Sequence, residues 1–92
     1  MKRFADTNTE RVFRGLRVRR LPPGIQRRAR MRLQRVLAAT TVSDLRIPPS
    51  HRLETLSGSR QGQHSIRINN QWRGCFRWTD QGAMEIETID YH

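Results

Sequence analysis

The stretch 63-QHSIRINNQWRGCFRWTDQGAMEIETIDYH-92 decides the fold, because apolar residues alternate along it in runs separated by turn residues. Alternation with a period of two is the mark of half-buried strands. "QHSIRI" (63–68), "QWRGCFRW" (71–78) and "AMEIETIDYH" (83–92) read as strands, with "NN" and "TDQG" as the turns between them. A loop of Asn69, Asn70 and Gln71 pairs Ile68 with Trp72. A loop of Asp80, Gln81 and Gly82, with Gly82 left-handed, pairs Phe76 with Ile86, Trp78 with Met84 and Arg77 with Glu85. A loop longer by one residue would set Phe76 against Glu85 and bury a carboxylate for no gain, so the shorter loop is preferred.

This register sorts the residues into two faces. Ile66, Ile68, Trp72, Gly74, Phe76, Trp78, Met84 and Ile86 share one, which needs a cover. Arg67, Arg73, Cys75, Arg77, Glu85, Glu87, Ile89 and Tyr91 share the other. Arg67 lies opposite Arg73, and like charges across a sheet destabilise it unless an anion or a carboxylate such as Glu87 sits between them. A phosphate backbone is one such anion; ordinary Arg–Glu pairing with no ligand is the other reading. By strict alternation Asp90 and His92 fall on the apolar side, so both join the arginines only if the strand end twists, bulges or stops.

Upstream, "HRLETLS" (51–57) reads as a further strand and "GSRQG" (58–62) as a turn. "LRIPPSH" (45–51) is expected to be extended on account of its prolines. Thr7 with Glu10 fits a capping box opening a short helix that stops near Gly15. A second helix is predicted from Pro23 to Thr40, where Ile25, Ala29, Leu33, Val36 and Leu37 fill an apolar arc of about 120°. Arg28, Arg32 and Arg35 line one flank and Arg27 and Arg30 the other; a merely solvated flank is the bland reading. Two helices followed by hairpin-linked strands predict an α+β fold, helices on one face of an antiparallel sheet, in a single domain spanning 1–92.

Of the 92 residues, 18 are Lys or Arg against 8 Asp or Glu, a net charge of +10, and every basic residue except Lys2 is arginine. Arginine binds phosphate bidentately and stacks on bases, so the balance points to nucleic acid before membrane. The single cysteine, Cys75, excludes an internal disulfide, and mid-strand it reads as a structural thiol. "MKRFADTNTERVFRG" has no apolar core of an export signal and no stretch has membrane-spanning length, so a cytoplasmic protein is expected. The spacing of His51, His64 and His92 matches no zinc motif, and no metal or other cofactor is expected.

The run "HRLETLSGSRQGQHSIRINNQWRGCFRWTD" (51–80) followed by "DYH" (90–92) resembles the HigB branch of the RelE/ParE toxin superfamily, and within it the GraT-type toxins. The resemblance implies a small RelE-like microbial RNase fold and a metal-independent endoribonuclease, an mRNA interferase. Such a toxin enters the ribosomal A site, cuts mRNA and inhibits translation. It also implies a helix-turn-helix antitoxin of the HigA/GraA-like kind, and binding of operator DNA through the antitoxin complex. Carried over residue by residue, the catalytic positions are Arg73, Asp90, Tyr91 and His92. Where many HigB toxins read "RLHPLKGDR", this chain reads "RLETLSGSR", with Glu54 in place of the histidine and Ser57 in place of the lysine. GraT-type relatives share that glutamate.

The residue types suit metal-free RNA cleavage, which needs the 2′-hydroxyl deprotonated, the phosphorane charge stabilised and the 5′-oxygen protonated. His92 titrates in the right range for proton transfer, and Asp90 can orient it. Arg73 can stabilise phosphate charge, Tyr91 can stack on the nucleotide, and Glu54 is a second candidate base of much lower proton affinity than imidazole. Arg67, Arg77, Arg28 and Arg32 are the candidate RNA contacts. Two other readings stand beside this one: a non-catalytic basic nucleic-acid-binding module, and a ParE-like gyrase inhibitor on the same fold, which would not need the terminal "DYH".

Overall fold

The structure, a computed structural model, describes residues 1–91. The alternating segments form strands β2 (Gln63–Arg67), β3 (Trp72–Thr79) and β4 (Gly82–Asp90), preceded by the short β1 (Glu54–Thr55). All neighbours are antiparallel and the sheet order follows the chain. Helices α1 (Thr7–Phe13) and α2 (Pro23–Ala38) cover one face, as the α+β pattern required. Val12 of α1 and Ala29, Leu33 and Val36 of α2 pack with Ile66, Ile68, Trp72, Phe76 and Ile86 of the sheet. Burying each large apolar side chain there stabilises the fold by about 1.5–3 kcal/mol.

The β2–β3 hairpin has the expected register, with Arg67 opposite Arg73 and the Ile68 N–H donating to the Trp72 carbonyl at 2.9 Å. The β3–β4 hairpin departs from expectation. Thr79 pairs with Gly82 across a two-residue loop of Asp80 and Gln81, and Gly82 has a φ of 91°. Arg77 therefore faces Met84 and Trp78 faces Ala83, while from Cys75 back to Trp72 the expected register returns. The extra residue is absorbed by a bulge next to Glu85, whose φ is 51°. Consequently Met84 joins the arginine face and Ala83 joins the core. The bulge also has a partner: consecutive N–H groups of Glu85 and Ile86 donate to the carbonyls of Lys2 and Arg3, at 2.8 and 2.9 Å. A regular strand cannot point successive N–H groups to one side. This is why the N-terminal segment can lie along β4, where Phe4 forms a parallel bridge with Ile86.

Four other expectations need correction. The cap of α1 is Asp6, which accepts from the Thr9 N–H at 2.6 Å, and Glu10 pairs with Arg14 at 2.9 Å instead of closing a box with Thr7. Helix α2 stops at Ala38, short of Thr40, because the Asp44 carboxylate takes the Thr40 and Thr41 N–H groups and the chain turns there. The segment after it is not extended: 3-10 turns at Val42–Arg46 and Pro49–His51 flank a cis Ile47–Pro48 bond. Proline's preset φ suits the first position of such a turn as well as it suits a strand. Finally, "HRLETLS" contributes only Glu54–Thr55 to the sheet, since Arg52 adopts a left-handed conformation (φ 45°, ψ 57°) that breaks the extended run.

Candidate functional site

The face away from the helices carries a cleft of about 490 Å³ lined by Arg52, Glu54, Arg67, Asn69, Asn70, Arg73 and Tyr91. Its floor is Arg73, only 8% exposed although charged. Burying a guanidinium is costly unless its donors are satisfied, and here they are. Nε–H donates to Ser65 Oγ at 2.8 Å, Nη2–H to the Arg52 carbonyl at 2.7 Å, and Nη2 lies 3.0 Å from Glu54 Oε1. Tyr91 stacks over the same guanidinium, 5.9 Å from ring centroid to Cζ.

The carboxylate that relieves the Arg67–Arg73 opposition is therefore Glu54, not Glu87. Glu87 is 2.6 Å from Arg60 Nη1, and that contact raises the Arg60 pKa above its ordinary value. Arg67 itself donates to the Asn70 side chain beside the cleft. Asn69 shapes the hairpin tip by accepting from the N–H groups of Gln71 and Trp72 at 2.9 and 2.7 Å.

The structure thus brings together Glu54, Arg67, Arg73 and Tyr91. Asp90 and Arg77, like Arg28 and Arg32 of α2, lie elsewhere. Asp90 pairs across the sheet with Trp72, accepts from Gln71 Nε2 at 3.1 Å, and does not line the cleft. Arg77 sits farther along β3, with its Nε 3.5 Å from Glu85. This pair forms despite the changed register, because the bulge keeps Glu85 near. His92 lies outside the described residues.

Arg28 and Arg32 lie on α2, where with Arg27, Met31, Arg35 and His51 they line a groove of about 760 Å³. That groove and the cleft are electrostatically joined. The Arg32 guanidinium is held below its ordinary pKa by burial first, then by the charges of Arg28, Arg67 and Arg35. Mutual repulsion between Arg32 of the helix and Arg67 of the sheet means that a polyanion reaching from one to the other would be favoured at both.

The remaining reactive side chains are occupied structurally. Burial pushes the Cys75 thiol up to about 11, far from nucleophilic poise. His64 packs beside Phe76 with ring centroids 5.9 Å apart, and buried His51 donates from Nδ1 to the Leu45 carbonyl at 3.0 Å. Among the described residues, no group of three or more His, Cys, Asp or Glu side chains is placed to hold a metal ion. Trp72 is buried in the core under Arg20, whose Cζ is 5.6 Å from its ring.

Sequence reasoning missed two members of the site. Ser65 falls on the arginine face by the same alternation that places Arg67, so its position was readable, though its bond to Arg73 was not. The Arg52 carbonyl was unreadable, because nothing in "HRLE" signals a left-handed arginine.

Two helices packed on a four-stranded antiparallel sheet are consistent with the small α+β fold of a RelE-like protein. A family model described as the RelE-like toxin of type II toxin-antitoxin system HigB matches residues 2–92. The chain is also 43% identical over 68 residues to Toxin HigB-1 of Vibrio cholerae serotype O1, covering 74% of this chain and 72% of that protein. The chain belongs to the HigB-like family of type II toxins, and such membership implies an antitoxin partner.

Proposed function

We propose that this toxin is a metal-independent endoribonuclease, an mRNA interferase that enters the ribosomal A site, cuts mRNA there and so inhibits translation. The observation that carries the reading is Arg73: a guanidinium fixed on a sheet floor, stacked by Tyr91, and opening on a cleft ringed by further cations. Electrostatic stabilisation works best when the charge is preorganised and partly desolvated, which is the condition of Arg73. A plain RNA-binding module gains nothing from burying its cation this way, since exposed arginines neutralise phosphates equally well.

In this reading Arg73 stabilises the developing phosphorane charge and Tyr91 stacks on the nucleotide. Glu54 stands within reach as a base, though a phosphate must compete with it for Arg73. Asp90 acts only after the strand end rearranges toward the cleft, and His92 supplies the neutral-range proton transfer. Arg67, Arg32 and Arg28 form the electropositive path for ribosomal RNA and mRNA, with Arg77 at its margin. The toxin acts as one domain over 1–92 in the cytoplasm, held in check by a HigA/GraA-like helix-turn-helix antitoxin that carries the complex to operator DNA. Among the described residues no helix is long and apolar enough to cross a membrane, which is compatible with that setting.

The test is single-turnover cleavage on mRNA-programmed ribosomes for wild type, Arg73→Ala and His92→Gln. Arg73→Ala should cut the rate by roughly 100-fold or more while ribosome affinity changes little. His92→Gln should abolish cleavage with the fold intact. Lost affinity with an unchanged rate in Arg73→Ala would reassign Arg73 to binding, and no cleavage by the wild type would favour the binding-module reading.

A further inference from the structure

We propose that Ser65 and the main-chain carbonyl of Arg52 form a neutral clamp that positions Arg73 for the reaction; this rests on the reading of Arg73 as the phosphate-contacting residue. Guanidinium presents a planar fork of N–H donors, so fixing one edge fixes the direction of the others. The observed contacts use one edge. Nε–H goes to Ser65 Oγ at 2.8 Å, and Nη2–H goes to the Arg52 carbonyl at 2.7 Å with a longer approach to the Ser65 carbonyl at 3.4 Å. Among the described residues no hydrogen bond reaches Nη1, so that nitrogen is the donor left for a phosphate oxygen in the cleft.

Both clamp groups show signs of being placed for this task. Ser65 is fully buried in the middle of the sheet, between Glu54 on one side and Cys75 on the other. A buried hydroxyl is unfavourable without a partner, and the partner here is Arg73. Arg52 holds a left-handed backbone that non-glycine residues adopt at a cost (φ 45°, ψ 57°), at the end of the turn closed by its N–H on the Pro49 carbonyl at 3.0 Å. That conformation delivers its carbonyl to Arg73. Because neither group is charged, the clamp holds the guanidinium without neutralising it. Glu54, by contrast, offsets the charge of the guanidinium from Nη2 and is more than half exposed, free to give way.

Positioning groups affect the rate of the bound complex more than its affinity, since a small misplacement of a reacting group is costly only in the transition state. Ser65→Ala should slow single-turnover cleavage on saturating programmed ribosomes by roughly 10-fold to 100-fold, with ribosome affinity unchanged. Ser65→Cys, which keeps a weak acceptor at the same place, should fall between alanine and wild type, and it keeps the test decisive if the alanine variant fails thermal unfolding controls. Lysine lacks the guanidinium fork, so in an Arg73→Lys background Ser65→Ala should cost nothing more. A purely structural serine would slow both backgrounds by the same factor, and that result would overturn the clamp. Arg52→Val should cleave more slowly than Arg52→Gly, because only glycine tolerates the left-handed backbone while both lack the side chain. Equal rates for that pair would remove the Arg52 carbonyl from the clamp. Wild-type cleavage by Arg73→Ala would defeat the reading of Arg73 itself, whereas a slow Arg73→Ala beside a fast Ser65→Ala would defeat only the clamp.

Discussion

The β2–β3 hairpin and the irregular segment 41–60 meet at the cleft, but they are built on different principles. The hairpin holds Ile66, Gly74, Cys75 and Phe76 in an unbroken ladder, with Phe76 completely buried under the helices. The segment is a chain of 3-10 turns held by single anchors: Asp44 on the Thr40 and Thr41 N–H groups, Leu45 in the core, and the His51 ring on the Leu45 carbonyl. The hairpin supplies the cation, Arg73. The segment supplies what surrounds it, the Arg52 carbonyl and Glu54. A charge on a rigid floor with partners on a less regular wall lets a site stay preorganised while its carboxylate yields to an incoming phosphate.

The sharpest way to break this contrast is to damage the hairpin's packing. Phe76→Ala removes a fully buried ring and should cost about 3–5 kcal/mol, a large share of the stability of a domain this size. The unfolding midpoint should then fall by roughly 12 °C or more, with cleavage lost alongside it. Thermal unfolding by circular dichroism checks this. A small loss would mean that the helices and the N-terminal segment on β4 carry the stability instead.

How much of each region was legible follows from how it is built. Side-chain alternation and the Asn69–Asn70–Gln71 loop encode the hairpin locally, so its register and the Arg67–Arg73 opposition could be read directly. The resemblance of 51–80 and 90–92 to HigB toxins was legible for the same reason, and the family match over 2–92 shows it. The bulge at Glu85 was not legible. Glutamate carries no preference for positive φ, and the feature is stabilised by Lys2 and Arg3, far away in sequence. In 41–60 the prolines suggested extension and the left-handed Arg52 gave no sign, because side-chain bonds from Asp44 and His51 and the long-range bond from Arg73 decide those conformations. Sequence named Glu54 and Arg73; only the fold showed what joins them.

A milder perturbation isolates the segment. Asp44 accepts from the Thr40 N–H and hydroxyl, both at 2.9 Å, and from the Thr41 N–H at 3.1 Å. Those bonds, the Thr40 backbone first, hold its carboxyl below the usual carboxylate range. Its folded pKa is thus depressed, so its stabilisation is present above the unfolded value and disappears as pH falls through the folded one. Asp44→Asn should lower the unfolding midpoint modestly at neutral pH, and the gap to wild type should close below about pH 4. Cleavage at neutral pH should fall by a larger proportion than stability, because the turn that carries Arg52 and Glu54 has lost its anchor. A rate unchanged while the midpoint drops would show that the wall is positioned by the sheet alone.

The smallest effect, and the finest probe of the same wall, concerns His51. Burial is the main cause that lowers its pKa from 6.5; the Leu45 carbonyl bond works against this, and the charges of Arg32 and Arg35 reinforce it. The unfolded chain therefore binds a proton more readily than the folded one. Stability from the neutral ring is fully present above the unfolded value of about 6.5 and is lost as pH falls below it toward the folded value. Wild type should lose midpoint temperature as pH falls below about 6.5, and His51→Gln should follow a flatter curve, since glutamine does not titrate there. Other groups titrate in both proteins, so the quantity to read is the difference between the two curves. That difference should shrink steadily as the solution is acidified. Parallel curves would mean that His51 takes up its proton without strain, and that the segment beside α2 is looser than its buried ring suggests. A convergence would instead show that the buried imidazole resists protonation, through burial first and the charges of Arg32 and Arg35 second, and so that the wall of the cleft is tightly closed around it.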